Sequence, residues 1–183
     1  MLRRLNIDFP NLPDGEFDPL CSEGSGGALI FGNTGGVMEA AVRTAYYYIT
    51  GNQPPADLLK LEAVRGLDGI KKATVNIPGV GDVKVAVAHG LYNVRKLCEE
   101  VKNGTCDFHF MEVMACPGGC ISGGGQPRTS VPPQDWVRQA RIDTNYAKDA
   151  SYELRNSHDN PEIQALYNNF VGEPLSHVAH DLL

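Results

Sequence analysis

The sequence lacks a long apolar run, a basic excess, an internal repeat and a second cysteine pair, and each absence removes a class of function. No stretch approaches the ~20 apolar residues that a membrane-spanning helix needs. The 16 Lys and Arg are outnumbered by 22 Asp and Glu, leaving a net charge of −6. Neither nucleic acid nor an anionic membrane is therefore the expected partner. The N-terminal MLRRLNIDFPNLPDG has basic residues with no apolar run behind them, unlike a secretory signal, and the expected location is cytoplasmic. Gly 20 and Pro 12 are too few for a collagen-like or disordered chain. Cys 5 is an odd count in a chain too long for a small disulfide scaffold. What is present is 183 residues with 42% apolar content, enough for one domain or one large lobe.

Three regions follow along the chain. Residues 1–27 read as a loop-rich N-terminal stretch, punctuated by Pro10, Pro13, Pro19 and Gly24. Residues 28–130 read as an α/β core and residues 131–183 as a helical tail. In the core, ALIFGNTGG is a strand or extended loop that feeds a helix from about Val37 to Ile49 through Gly32, Gly35 and Gly36. A short helix is expected over 57–66. ATVNIP and DVKVAVAHG are expected strands, the second with Val83, Val85 and Val87 on one face and Lys84, Ala86 and Ala88 on the other. Leu91, Val94, Leu97, Cys98 and Val101 form a helical stripe that predicts a buried Cys98. DFHFMEVMA is a further strand. Strands alternating with helices predict a parallel sheet flanked by helices, with ligands beyond the C-terminal strand ends. In the tail, Asn160 and Pro161 open one helix that Gly172 stops, and a second begins near Pro174.

The densest chemistry is MEVMACPGGCISGGGQP, Met111 to Pro127. Cys116 and Cys120 are spaced too widely for a disulfide oxidoreductase, which keeps two residues between its cysteines. A zinc knuckle needs a second ligand pair, which the chain lacks. The run ends in neither GK[ST] nor GxGxxG, so it is not a phosphate loop. Pro117 and five glycines leave a bare loop, which suits the close approach of an inorganic sulfide core whose sulfur accepts backbone N–H bonds. On spacing alone, metal ligands and structural thiols both remain open.

The full strings go further. MACPGGC followed by GGGQP resembles the third H-cluster motif of the iron-only (FeFe) hydrogenases. IFGNTGGVMEAAVRTAY is similar to that family's Phe-Gly-x-x-Gly-Gly-Val-Met-Glu-Ala-Ala segment, and ASYELRNSHDNPEIQALYNNFVGEPLSHVAHDLL to its C-terminal helices. The resemblance runs over nearly the whole chain. It implies the second lobe of a two-lobed α/β catalytic domain, with the cluster between the lobes. Cys116 would bind the four-iron (4Fe-4S) cubane of the H-cluster, and Cys120 would bind it and bridge to the two-iron subsite. Met114 would line the subsite pocket, and Phe31 with Gly32 would pack against its diatomic ligands; ordinary core packing is the alternative for Phe31 and Met114. The implied activity is oxidoreduction of dihydrogen and protons, with ferredoxin or an NAD(P)-linked subunit as electron partner.

Two family motifs are absent, a Thr-Ser-Cys-Cys-Pro stretch and a Met-Pro-Cys stretch followed by Lys and Glu. In the family they carry the other two cluster ligands, the proton-relay cysteine and the lysine that holds a cyanide. The resemblance therefore implies a chain that works only with an N-terminal lobe or another hydrogenase subunit. Cys21 and Cys106 match no family ligand, and His177 and His180 read as surface or structural residues. A non-catalytic relative, an iron–sulfur assembly or binding protein, is the alternative, and a dithiol or zinc module a third. Retention of Phe31, Met38, Glu39, Met114 and GGGQP favours the hydrogenase.

Overall fold

The valine alternation of 83–87 organises the centre of the molecule. The computed structural model describes residues 1–16, 18, 22–129 and 134–182. Strands β1 (Ile70–Ile77), β2 (Gly81–His89) and β3 (Phe110–Met114) form one sheet in that order. Val85 and Val87 enter one core and Ala86 and Ala88 another, as the alternation predicts. The sheet is mixed rather than parallel. β1 and β2 pair antiparallel, with Val75 opposite Val83, because only Pro78, Gly79 and Val80 join them; a parallel crossover needs a dozen or more residues. β2 and β3 pair in parallel, with His89 opposite Met114, through the crossover helix α3 (Leu91–Lys102), which leads into β3. The α/β class holds.

Helix α2 (Gly36–Thr50) covers the valine face with Met38 and Val42, joined by Leu58 and Val64. Helix α3 covers the alanine face, and its one buried residue is Leu97. Cys98 is exposed, which corrects the expected burial. The alanines offer a narrow surface, and a residue one step round the helix from Leu97 swings clear of it. No strand forms over ALIFGNTGG. Helix α1 (Gly26–Ile30) does, capped by Ser25, whose Oγ accepts from Ala28 N–H at 3.2 Å. Residues 62–64 make a single 3₁₀ turn where a short helix was expected.

Sequence patterning does not reveal α4 (Asp135–Ser151), which packs Ile142 and Tyr146 against Ile30, Ala40 and Ile121. Its inner face is also ionic. Arg43 of α2 donates to both oxygens of Asp149, at 3.0 and 2.9 Å, and to Glu39 at 2.7 Å. Arg65 grips Glu39 at 2.6 and 2.9 Å, and Arg155 reaches Asp149 at 2.6 Å. Arg43, Glu39 and Asp149 are fully buried. Burial works to lower the Arg43 pKa, but the bonds to Asp149 and the two carboxylate charges outweigh it and raise it.

In the tail, Asn160 Oδ1 accepts from Glu162 and Ile163 N–H at 2.9 and 3.3 Å, as an N-cap does. Helix α5 (Pro161–Leu166) continues as a π turn over Tyr167–Val171, and α6 (His177–Leu182) starts three residues later than Pro174 suggests. Glu162 ties this tail to the N-terminal stretch, accepting from Ser22 Oγ at 3.0 Å and Glu23 N–H at 2.9 Å. Among the described residues no helix is long and apolar enough to cross a membrane.

Candidate functional site

Parallel strands deliver their following loops to one edge of a sheet. β3 ends at Met114, and the cysteine loop begins two residues later, beyond the C-terminal edge that β2 and β3 share. Cys116 is half-buried, Cys120 is exposed, and both are free thiols. Gly119 N–H donates back to Cys116 O at 3.0 Å, and Cys120–Ser122 forms a 3₁₀ turn.

The loop lies directly on a second glycine-bearing segment, 31–35, between α1 and α2. Thr34 N–H donates to Gly118 O at 3.0 Å, and Ile121 N–H donates to Gly32 O at 3.1 Å. Contact is backbone to backbone, which only missing side chains permit. A Cβ on Gly119 would lie 2.6 Å from Gly32 O, 2.7 Å from Thr34 N and 2.9 Å from Met114 Sδ. Tertiary structure thus brings Gly32 and Met114 against the residue preceding Cys120. Phe31 adjoins Gly32 with 45% of its surface exposed, so it is no core residue of this chain.

Polar residues that sequence reasoning passed over hold both segments. Glu112 of β3 accepts from Gly35 N–H at 2.6 Å and Met38 N–H at 2.7 Å, capping α2 from a neighbouring strand. Burial raises its pKa, against the pull of these two bonds and of Lys71. Lys71 Nζ donates to Gly66 O at 2.9 Å and to Thr34 O and Oγ1 at 3.3 Å. Burial pushes its pKa down to about 8, with Glu112 and Asp68 resisting. Asn145 of α4 donates to Asn33 Oδ1 at 2.9 Å. A lysine in β1, a glutamate in β3 and a histidine closing β2 are the signal that could have flagged these positions.

His89, at the end of β2, anchors the cysteine loop. Gly118 N–H donates to its Nδ1 at 3.0 Å, so Nδ1 is an acceptor and Nε2 carries the proton, donated to Leu67 O at 3.1 Å. The imidazole must stay neutral. Burial lowers its pKa; the bond to Leu67 O opposes this, and the charges of Lys71 and Arg138 reinforce it. Burial also lowers that of His158, against Asp159. Both folded values lie below 6.5, so the unfolded chain binds more protons as the pH falls. The stabilisation is complete above 6.5 and is lost as the pH drops through the lower folded values. Urea midpoints are expected to decline from about pH 6.5 downwards. A midpoint that is flat or rises from about pH 6.5 to about pH 5 contradicts this.

The remaining candidates lie elsewhere. Cys98 is exposed on α3, and Cys106 is exposed in the turn before β3. Cys21 lies outside the described residues. His177 is exposed and pairs with Asp181 at 2.9 Å, in a surface role. Among the described residues no group of three or more His, Cys, Asp or Glu is placed to hold a metal ion. The donors at the loop are two thiols, soft ligands that suit iron–sulfur chemistry. They amount to half the four thiolates of a cubane cluster, on a loop open enough to receive it. The two thiols fit the group in kind.

Comparison with known proteins agrees with the geometry. The family model described as "Iron only hydrogenase large subunit, C-terminal domain" matches residues 1–124. A second, "Iron hydrogenase small subunit", matches 135–183, which holds α4 and the tail. The NADP-reducing hydrogenase subunit HndD of Solidesulfovibrio fructosivorans is 48% identical over all of this chain, which spans 30% of that protein. The periplasmic Fe hydrogenase large subunit of Nitratidesulfovibrio vulgaris is 58% identical over 127 residues, 69% of this chain and 30% of that protein. Cytosolic iron-sulfur assembly component 3 of Pongo abelii is more distant, 28% identical over all of this chain and 38% of its own length. The FeFe hydrogenase HydA1 of Chlamydomonas reinhardtii, a solved structure, superposes with a TM-score of 0.67 at 39% identity, covering all of this chain and 51% of that one. A chain that carries these loops on this sheet, and is matched along its length in this way, belongs to the iron-only hydrogenase large-subunit family and corresponds to the C-terminal part of its domain.

Proposed function

We propose that this chain is the C-terminal part of an iron-only hydrogenase and holds one side of its H-cluster through Cys116 and Cys120. The observation that carries the reading is the pair of free thiols on a bare loop, clamped backbone to backbone onto Gly32 and Thr34. When bound, the cluster supplies reversible conversion of dihydrogen into two protons and two electrons. The chain's own residues do the rest. Cys116 and Cys120 would hold the cluster as deprotonated thiolates. Gly119 keeps the loop flat against Gly32. Met114 and Phe31 supply apolar surface that keeps water from the site. His89 and Glu112 hold the two loops without touching the reacting atoms.

Two further thiolates, the proton-relay cysteine and a cyanide-holding lysine come from an N-terminal lobe, or from another subunit in a split enzyme. Electrons pass to ferredoxin or to an NAD(P)-linked subunit, in a cytoplasmic, anaerobic hydrogen metabolism. The name of the first relative supports the NADP-linked partner. Likeness to an iron–sulfur assembly component supports a second reading, in which the cluster is held without turnover.

The test is anaerobic co-production with an N-terminal lobe and the maturation machinery, followed by iron content and hydrogen evolution. Cluster with turnover supports the hydrogenase, cluster without turnover the second reading, and zinc without iron a dithiol module. Within the active protein, Cys120→Ala is expected to abolish assembly of the two-iron subsite and all turnover, while Cys106→Ala leaves both intact. Full activity in the Cys120 variant refutes the ligand assignment.

A further inference from the structure

Helix α4 does more than pack against α1. Three of its side chains, at i, i+3 and i+7, reach the two glycine-rich loops. Arg141 Nη1 donates to Ile121 O and Nη2 to Pro127 O, each at 2.6 Å. One guanidinium therefore bridges the residue after Cys120 to the far end of the glycine run. Arg138 Nε donates to Ser122 Oγ at 3.3 Å, and its Cδ would lie 3.3 Å from a Cβ on Gly118. Asn145 holds Asn33 in the opposing loop at 2.9 Å. The segment 122–126 is rich in glycine and has little side-chain packing of its own. Its shape is therefore set from outside, and Arg141 spans it from end to end.

We infer that Arg141, supported by Arg138, is a positioning residue for the Cys120 thiolate, acting from the segment that the small-subunit family model matches. The geometry explains why the residue is arginine. A planar fork satisfies two carbonyls at fixed separation, whereas a lysine ammonium is a single flexible point. Its charge also sits one residue beyond the proposed bridging ligand, where a cation favours the more negative, reduced form of an iron–sulfur cluster. The inference rests on the ligand role proposed for Cys120.

The test uses the full-length protein carrying this chain, as wild type, R141Q, R141K and, as a surface control on the same helix, T144A. Partners that orient metal ligands govern affinity by ~10- to 100-fold. R141Q is therefore expected to lose iron to a chelator about tenfold faster or more. R141K is expected to lose iron at an intermediate rate yet keep the wild-type cluster midpoint potential, while R141Q shifts that potential downwards. A role in global folding alone does not separate the two variants in this way. In metal-free protein, alkylation of Cys120 is expected to accelerate in R141Q, with Cys106 alkylation unchanged as internal reference.

Wild-type iron retention, potential and Cys120 reactivity in R141Q would overturn the inference. Equal acceleration at Cys106 would overturn it too, since that reports general loosening. If R141Q does not accumulate, R141K against T144A decides it by iron retention and Cys120 alkylation alone. A wild type that binds no iron defeats the hydrogenase reading, but the Cys120-to-Cys106 alkylation ratio still tests the clamp.

Discussion

Replacing Asp149 by asparagine is expected to cost the fold about 3–5 kcal/mol, the range for removing one partner from a buried ion pair. Asp149 Oδ1 accepts from Arg43 Nη1, and Oδ2 accepts from Arg43 Nη2 and Arg155 Nη2. An amide at either position sets an N–H against an N–H. The charge balance fails as well. Three guanidiniums, those of Arg43, Arg65 and Arg155, share Glu39 and Asp149, and the variant leaves them Glu39 alone. Burial opposes ionisation of Asp149, but its bonds to Arg43 and Arg155 and their charges prevail and hold its pKa below the usual range. The aspartate is therefore fully ionised at neutral pH, and its substitution removes a whole charge. Chemical denaturation of the protein carrying this chain measures the effect. A loss below about 1 kcal/mol, the size of a surface pair, would show that Asp149 does not hold α4 onto α2.

Gly119→Ala is the second large effect, and it strikes the site rather than the core. Gly119 has φ +100°, a conformation that side chains rarely adopt, and its added Cβ meets backbone at 2.6 and 2.7 Å. Those atoms cannot retreat. Gly32 O already receives Ile121 N–H, and Thr34 N–H is committed to Gly118 O. Lys71 and Glu112 pin the same segment from behind. The loop must therefore lift, break both bonds and carry Cys120 away. The backbone strain alone is of order 1–3 kcal/mol, and iron content after anaerobic assembly is expected to fall to near zero. Gly124→Ala is the control, because nothing lies within 4 Å of its Cβ position. Iron binding that survives Gly119→Ala, or is lost equally in Gly124→Ala, would contradict the interlocked-loop account.

Some of this architecture is written locally. The Val83–Val87 alternation specifies β2 and both its faces, because period two is a property of the strand itself. The α2 stripe and the Asn160–Pro161 cap are equally local. The cysteine loop is legible too, since its glycines are what let its backbone lie against Gly32 and Thr34. Other features depend on partners far away in the chain. Helix α4 escaped detection because its inner face presents Arg138, Arg141, Asn145 and Asp149 as well as Ile142 and Tyr146. Periodicity registers whether a residue is apolar, and says nothing of a distant carbonyl or guanidinium that will satisfy a polar one.

By itself, then, the sequence determined the α/β class, the helices with apolar stripes, the family and the two thiols that carry the proposed chemistry. Tertiary structure alone decided the exposure of Cys98, the anchoring of the cysteine loop by His89 and Arg141, and that of the facing segment by Glu112. The reason is physical. Burying an apolar side chain needs only the absence of water, which a local pattern can announce. Burying a charge or a backbone carbonyl needs a particular partner at hydrogen-bond distance, and only the folded chain brings that partner into place.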